Sequence, residues 1–339
     1  MKQHSGTMSW LRAVYFLDAQ NGWAVGGRGA LLSTGDGGRS WKLMPPPTED
    51  TLRDVFFSDA ETGWLVCDKS IYQPAPTGEA RSYLLQTKDG GATWKRIVPT
   101  GAENQLRLSR VVFADAARGW AFGEMGALFA TQDGGATWLR QSVPTRHLLL
   151  GGAFHDAQHG WLVGAGATIL QTSDSGATWR NGLIEANSAA LLPSADAANL
   201  ANARTSSVKT GANAVAARLN AVSFVDARRG WAVGSGGAIF HTSNGGLVWR
   251  AQTSGTTTDL FDVKFLDARE GWAVGTNGTL LHTTDGGALW LSESSGTTHP
   301  LERLFFTGRT RGWAVGFGGT ILSYAPSPAP APRLKASSN

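Results

Sequence analysis

Six short segments of this chain carry a carboxylate or its amide in one fixed setting, [ST]-x-[DN]-x-G-x-x-W: "TGDGGRSW", "TKDGGATW", "TQDGGATW", "TSDSGATW", "TSNGGLVW" and "TTDGGALW". They place Asp36, Asp89, Asp133, Asp174, Asn244 and Asp285 five residues before Trp41, Trp94, Trp138, Trp179, Trp249 and Trp290. A carboxylate can act as general acid or base, and glycoside hydrolysis needs two of them converging on one bond. Acid–base work would require one copy to differ in kind from the rest. The variant copy instead holds Asn244, which keeps a hydrogen-bond acceptor and loses proton chemistry. The triplet is self-sufficient turn chemistry: the Asp caps nearby backbone N–H groups, and the glycines take up positive φ. The following Trp is expected to pack its ring between neighbouring structural units.

A second recurring acid set is Asp18, Asp59, Asp115, Asp156, Asp226 and Asp267, each two residues after a recurring Phe and four before the Gly of Gly-Trp, and again the repetition favours turn capping over metal binding. A metal site needs several ligands converging on one point, so no metal or cofactor is expected. Arginines are less regular: Arg12, Arg53, Arg110 and Arg303 stand at the beginning of recurring apolar segments, and Arg218 immediately precedes one. Gathered on one surface they could bind an acidic peptide or another anion through bidentate bonds. The competing expectation is a solvated rim neutralised by Asp54, Asp262 and Glu302. A second basic group, Arg118, Arg228, Arg229, Arg269, Arg309 and Arg311, lies next to the recurring acids and is expected to pair with them.

The elements that must position these groups follow from a repeat. Gly-Trp occurs with Trp at 23, 64, 120, 161, 231, 272 and 313, a period of 41 stretched twice, by 15 and 29 residues. Seven residues before each Trp is a Phe, and five before that a Leu, from Leu11 and Phe16 to Leu301 and Phe306. Alternating apolar residues up to the Phe, the "WAVG" run, a third segment such as "ALFAT" and a last one after the second Trp read as four short strands per unit. Four strands in about 41 residues is the size of a propeller blade. The expected fold is all-β, a seven-bladed β-propeller of four-stranded antiparallel blades over residues 1–324. The seventh copy ends at "TILSYAP" without a box, and Met1–Thr7 lines up with the end of a blade, so the N-terminal strand is expected to complete the last blade and close the ring.

This topology separates two faces. The boxes and the turns before Gly-Trp share one, while the links between blades and the turns after the second strand share the other. Both insertions, at about 68–80 and about 182–217, fall on the face away from the boxes, as do the five arginines at strand beginnings. The longer insertion is rich in Ala, Ser and Asn and expected to be largely irregular, and the Pro/Ala-rich tail 325–339 to be disordered. Cys67 stands where the other six copies have glycine, as a buried filler beside the shorter insertion, and a single cysteine permits no internal disulfide. A formal charge of +4 is too small and scattered to argue for nucleic acid, and no apolar run reaches the length of a membrane helix.

The seven-fold "F-x-D-x-x-x-G-W-x-V-G…T-x-D-G-G-x-x-W" unit resembles the photosystem II stability and assembly factor propellers of cyanobacteria and plastids and their bacterial relatives, over about residues 5–324. The resemblance implies a non-enzymatic scaffold that binds a membrane-complex subunit or acidic peptide through an arginine-rich surface, on the lumenal or periplasmic side, with the cytoplasm as the alternative location; a monomer is expected. An Asp-box glycoside hydrolase of the sialidase kind and a peptide-binding propeller resembling sorting receptors are the alternatives. A sialidase would need a tyrosine nucleophile, and only Tyr15, Tyr72, Tyr83 and Tyr324 are present. The position of Tyr15 is filled by Phe, Val, Ala, Ser and Lys in other copies, which is the pattern of an unspecialised site.

Overall fold

Each repeat folds as its apolar pattern dictates. The inner strands are Leu11–Phe16, Thr51–Phe57, Leu108–Phe113, Leu149–Phe154, Leu219–Phe224, Leu260–Phe265 and Leu301–Phe306. Each pairs antiparallel with its Gly-Trp strand, which pairs with a third and the third with an outer strand, giving seven sheets around one axis. The computed structural model describes residues 1–70, 79–101, 105–185 and 218–325. Most of the insertion at 182–217, part of that at 68–80, and the tail beyond 325 therefore lie outside the described residues. Among the described residues no helix is long and apolar enough to cross a membrane.

The seventh sheet takes its outer strand from Lys2–Gln3, with Lys2 opposite Leu322 and Gln3 opposite Ile321. Blade five departs from expectation. Leu183–Glu185, expected to open the irregular insertion, adds a parallel fifth strand to the edge of Val248–Gln252. The outer strand there is long enough to offer an unpaired edge. Ile184 packs beside Trp249, and Glu185 pairs with Arg250 at 2.8 Å.

Aromatic packing explains why Phe and Trp recur. The Gly-Trp ring of one blade stacks on the inner-strand Phe of the next, with centroids 3.7 Å apart for Trp23–Phe57 and Trp120–Phe154 and 3.4 Å for Trp161–Phe224. The box Trp then meets that Phe edge-on within its own blade, as Trp138 does Phe113 at 5.7 Å. Such stacked and T-shaped pairs are favoured by the ring quadrupole, and each ring buries a large apolar area. The box Trp lies at the same interface, and in blades one and six its indole N–H donates directly to the neighbouring blade, Trp41 to Gln3 at 2.9 Å and Trp290 to Gln252 at 3.4 Å. The Gly of Gly-Trp is required by the same packing: a Cβ on Gly22 would sit 2.5 Å from the Phe16 ring.

The last interface is looser. Trp272 and Phe306 are 6.2 Å apart, and Tyr324 leans on both. Tyr324 occupies the register position that Thr34 holds in blade one, opposite the glycine of Gly-Trp. A cavity of about 210 Å³ lined by Trp272, Leu280, Phe306 and Tyr324 lies at this seam.

Candidate functional site

The Asp boxes consume their own carboxylates. Asp133 accepts hydrogen bonds from the Thr131 hydroxyl at 2.8 Å, the Thr137 N–H at 2.9 Å and the Thr137 hydroxyl at 2.6 Å. Thr131 Oγ1 in turn accepts the Gly135 N–H at 2.8 Å, with Gly134 and Gly135 at φ 67° and 81°. The Thr137 hydroxyl and N–H hold the Asp133 carboxyl down at about 2. A carboxyl so far below neutrality is a poor proton donor or acceptor near pH 7. Asn244 repeats the scheme with its carbonyl, accepting from Thr242 at 2.9 Å and from the Val248 N–H at 3.0 Å.

The second acid set is spent in the same way. One carboxylate oxygen of each accepts the N–H groups two and three residues on, at 2.6 and 2.7 Å for Asp18 and at 2.9 and 2.7 Å for Asp115. Arg118, Arg229 and Arg309 pair with Asp115, Asp226 and Asp267, and His159 with Asp156. Among the described residues no three His, Cys, Asp or Glu side chains converge as metal ligands would.

On the opposite face the five arginines come together. Arg12, Arg53, Arg110, Arg218 and Arg303 line one mouth of the axial tunnel, a space of about 300 Å³, with Glu302 as the acid among its lining residues. The residues from several blades meet there because every inner strand begins at that mouth. A register irregularity after the leucine at each strand's start turns successive side chains towards the axis. Exposure then grades them. Arg218 is exposed and has no ion pair among the described residues. Arg12 and Arg53 keep about a third of their side-chain surface, 31% and 35%. Arg12 lies over the Trp10 ring at 3.8 Å and pairs with Glu302 at 3.2 Å. Burial pulls Arg12 down and pushes Glu302 up, each opposed by the other's charge.

Arg110 and Arg303 sit deeper, with side chains 14% and 13% exposed, and are spent inside the tunnel. Arg303 reaches Asp54 at 3.1 Å, past blade one, and Asp54 also accepts the Val111 N–H at 3.1 Å. Arg110 stands 3.9 Å from Asp262 and donates to the Asn220 carbonyl at 3.3 Å, while Asp262 accepts the Leu304 N–H at 2.9 Å. Burial pulls Arg110 down to about 10, with Arg303 adding to the fall. Inner strands of neighbouring blades splay too far for a backbone ladder, so these acids staple their N–H groups. Arg110 and Arg303 are neutralised in the core, while Arg12, Arg53 and Arg218 remain at the surface, Arg12 beside Glu302 and Arg53 beside Asp68.

A neighbouring charge cluster has no counterpart in the repeat pattern. Asp68, almost fully buried, receives Arg53 at 2.9 Å, Arg107 at 2.9 Å and Arg81 at 4.0 Å, three cations around one carboxylate. Arg107 precedes Leu108 as Arg218 precedes Leu219, a parallel that marks it in the sequence. Asp68 has no counterpart because the ladder of blade two runs on past Cys67, pairing Thr51 with Asp68 where other blades end at glycine. Cys67 is fully buried there, and burial pushes its thiol up.

These features define an Asp-box β-propeller with a basic axial mouth on the face away from its boxes. The profile of the family described as photosynthesis system II assembly factor YCF48 matches residues 40–146, 137–200 and 250–325, more than half of the chain, and the chain belongs to that family. Among solved structures it is similar to YCF48 bound to D1 peptide, at 19% identity over 96% of this chain and 95% of that one, with a TM-score of 0.71. YCF48 from Cyanidioschyzon merolae gives 20% identity, 96% and 98% coverage and a TM-score of 0.70. The GH74 xyloglucanase from Xanthomonas campestris shares the fold at 12% identity and a TM-score of 0.67, over 94% of this chain and 52% of that one. No curated protein matches by sequence.

Proposed function

We propose that this protein is a non-enzymatic scaffold that binds an acidic peptide or loop of a membrane-complex subunit at its basic axial mouth and assists assembly of that complex from the periplasmic or lumenal side. The observation that carries the reading is the convergence of Arg12, Arg53 and Arg218 at one concave mouth with cationic surface to spare. A planar guanidinium suits carboxylates in bidentate geometry, and a rim of three offers avidity without deep burial. Membership of the YCF48 family supports this reading, as does a similar fold in a protein solved with a D1 peptide. The carboxylates that a hydrolase reading would use are committed to their own turns.

The test is binding of a fluorescent D1 peptide, with capture from detergent-solubilised membranes as a second arm. Replacing Arg12, Arg53 and Arg218 together by Gln should weaken binding by at least about tenfold, or about 1.4 kcal/mol, and flatten its salt dependence. Undiminished binding by a folded triple variant would overturn the assignment of this face. Turnover of a fluorogenic glycoside panel would overturn the non-enzymatic reading.

A further inference from the structure

Below the layer formed by Arg110 and Arg303, the tunnel contains a second chamber that the basic mouth does not use. Its volume is about 260 Å³, and its walls are the side chains four residues after each inner-strand leucine, towards the Asp-box end of the tunnel. Those seven positions hold six different residue types, with only Phe repeated. Tyr15, Phe56 and Phe305, from blades one, two and seven, form an aromatic wall with neighbouring centroids 5.1 Å apart. Ala153 and Ser223, from blades four and five, are small and leave the room. Lys264, from blade six, is directed into the open space with no hydrogen bond or ion pair among the described residues.

The charges above the chamber are balanced, Arg303 by Asp54 and Arg110 by Asp262, so Lys264 is left as a surplus cation. Confinement of its ammonium by protein lowers its pKa against the pull of Asp262. An anion beside it would recover that lost solvation. Ser223 Oγ accepts the Phe265 N–H at 3.0 Å, which leaves its hydroxyl proton to donate.

We propose that this chamber binds a small monocarboxylate with an aromatic body, the ring against Tyr15, Phe56 and Phe305 and the carboxylate on Lys264 Nζ and the Ser223 hydroxyl. The probe is 4-phenylbutyrate, and the readout is the NMR spectrum of the full chain with its lysines reductively ¹³C-methylated, the Lys264 signal being assigned with Lys264→Gln. The probe should move that signal saturably at millimolar concentration and shift its titration midpoint upward. Calorimetry should show at least about tenfold weaker binding to Lys264→Gln and to wild type with 4-phenylbutan-1-ol in place of the acid. Arg218→Gln, which impairs the basic mouth, should leave probe binding unchanged, so failure of the peptide-binding reading and failure of this one are told apart. An immobile Lys264 signal, or equal affinity for the acid and the alcohol, would overturn the proposal.

Discussion

The two faces of the ring use charge in opposite ways. On the Asp-box face each box carboxylate is satisfied within four residues of itself, and the same arrangement recurs blade after blade. On the axial face charges are shared across the fold: Arg12 with Glu302, Arg303 with Asp54, and Arg53, Arg81 and Arg107 with one Asp68. Local repetition builds a ring and makes its members interchangeable. Function has room only where the repeat is broken, because a partner must be recognised at one place on a seven-fold surface.

Several substitutions would sharpen or break that contrast. The largest effect belongs to the shared architecture: Trp138→Ala removes a ring that is 1% exposed and should cost about 3–5 kcal/mol in urea unfolding. Asp54→Ala would leave Arg303 and the Val111 N–H buried without their acceptor, a loss of about 3 kcal/mol or more by the same measurement. A neutral response there would mean that the inner charges are as dispensable as surface pairs. Asp133→Asn keeps the acceptor that Asn244 already uses in blade five, so it should cost at most about 1 kcal/mol. Arg118→Gln, which breaks an exposed pair, should stay within about 0.5 kcal/mol.

The box carboxyls also set an acid limit. Asp36, Asp89, Asp133 and Asp174 lie at about 2 in the folded protein, below the ~3.9 of a free side chain. Their contribution is therefore complete above about pH 4 and is lost as pH falls through about 2. Urea midpoints measured across that window should decline, and the decline should flatten when the four are changed to Asn. An unchanged slope would show that acid sensitivity arises elsewhere.

Much of this was legible in the sequence because it is periodic. The leucine, phenylalanine and two tryptophans of each unit report one blade interface seen repeatedly, and the Asp boxes are local enough to be read as turns. The arginines could be assigned to one face because strand order fixes which ends lie there. Their separate fates could not be read. Whether Arg110 meets Asp262 or Arg12 meets Glu302 depends on how side chains from distant blades fill the axis, and Asp68 collects arginines from three separate stretches of chain. The strand at Leu183–Glu185 was hidden for a similar reason, since it is defined by the edge it joins in the next blade.

The central claim, that the basic axial mouth rather than the Asp-box face receives the partner, is tested most directly by matched charge removal on the two faces. One variant carries Arg12→Gln, Arg53→Gln and Arg218→Gln, the other Arg118→Gln, Arg228→Gln and Arg269→Gln, and peptide affinity is measured for both at one ionic strength. The account predicts a loss of at least about tenfold for the first and less than about twofold for the second. Equal losses, or a larger loss from the Asp-box face, would contradict it.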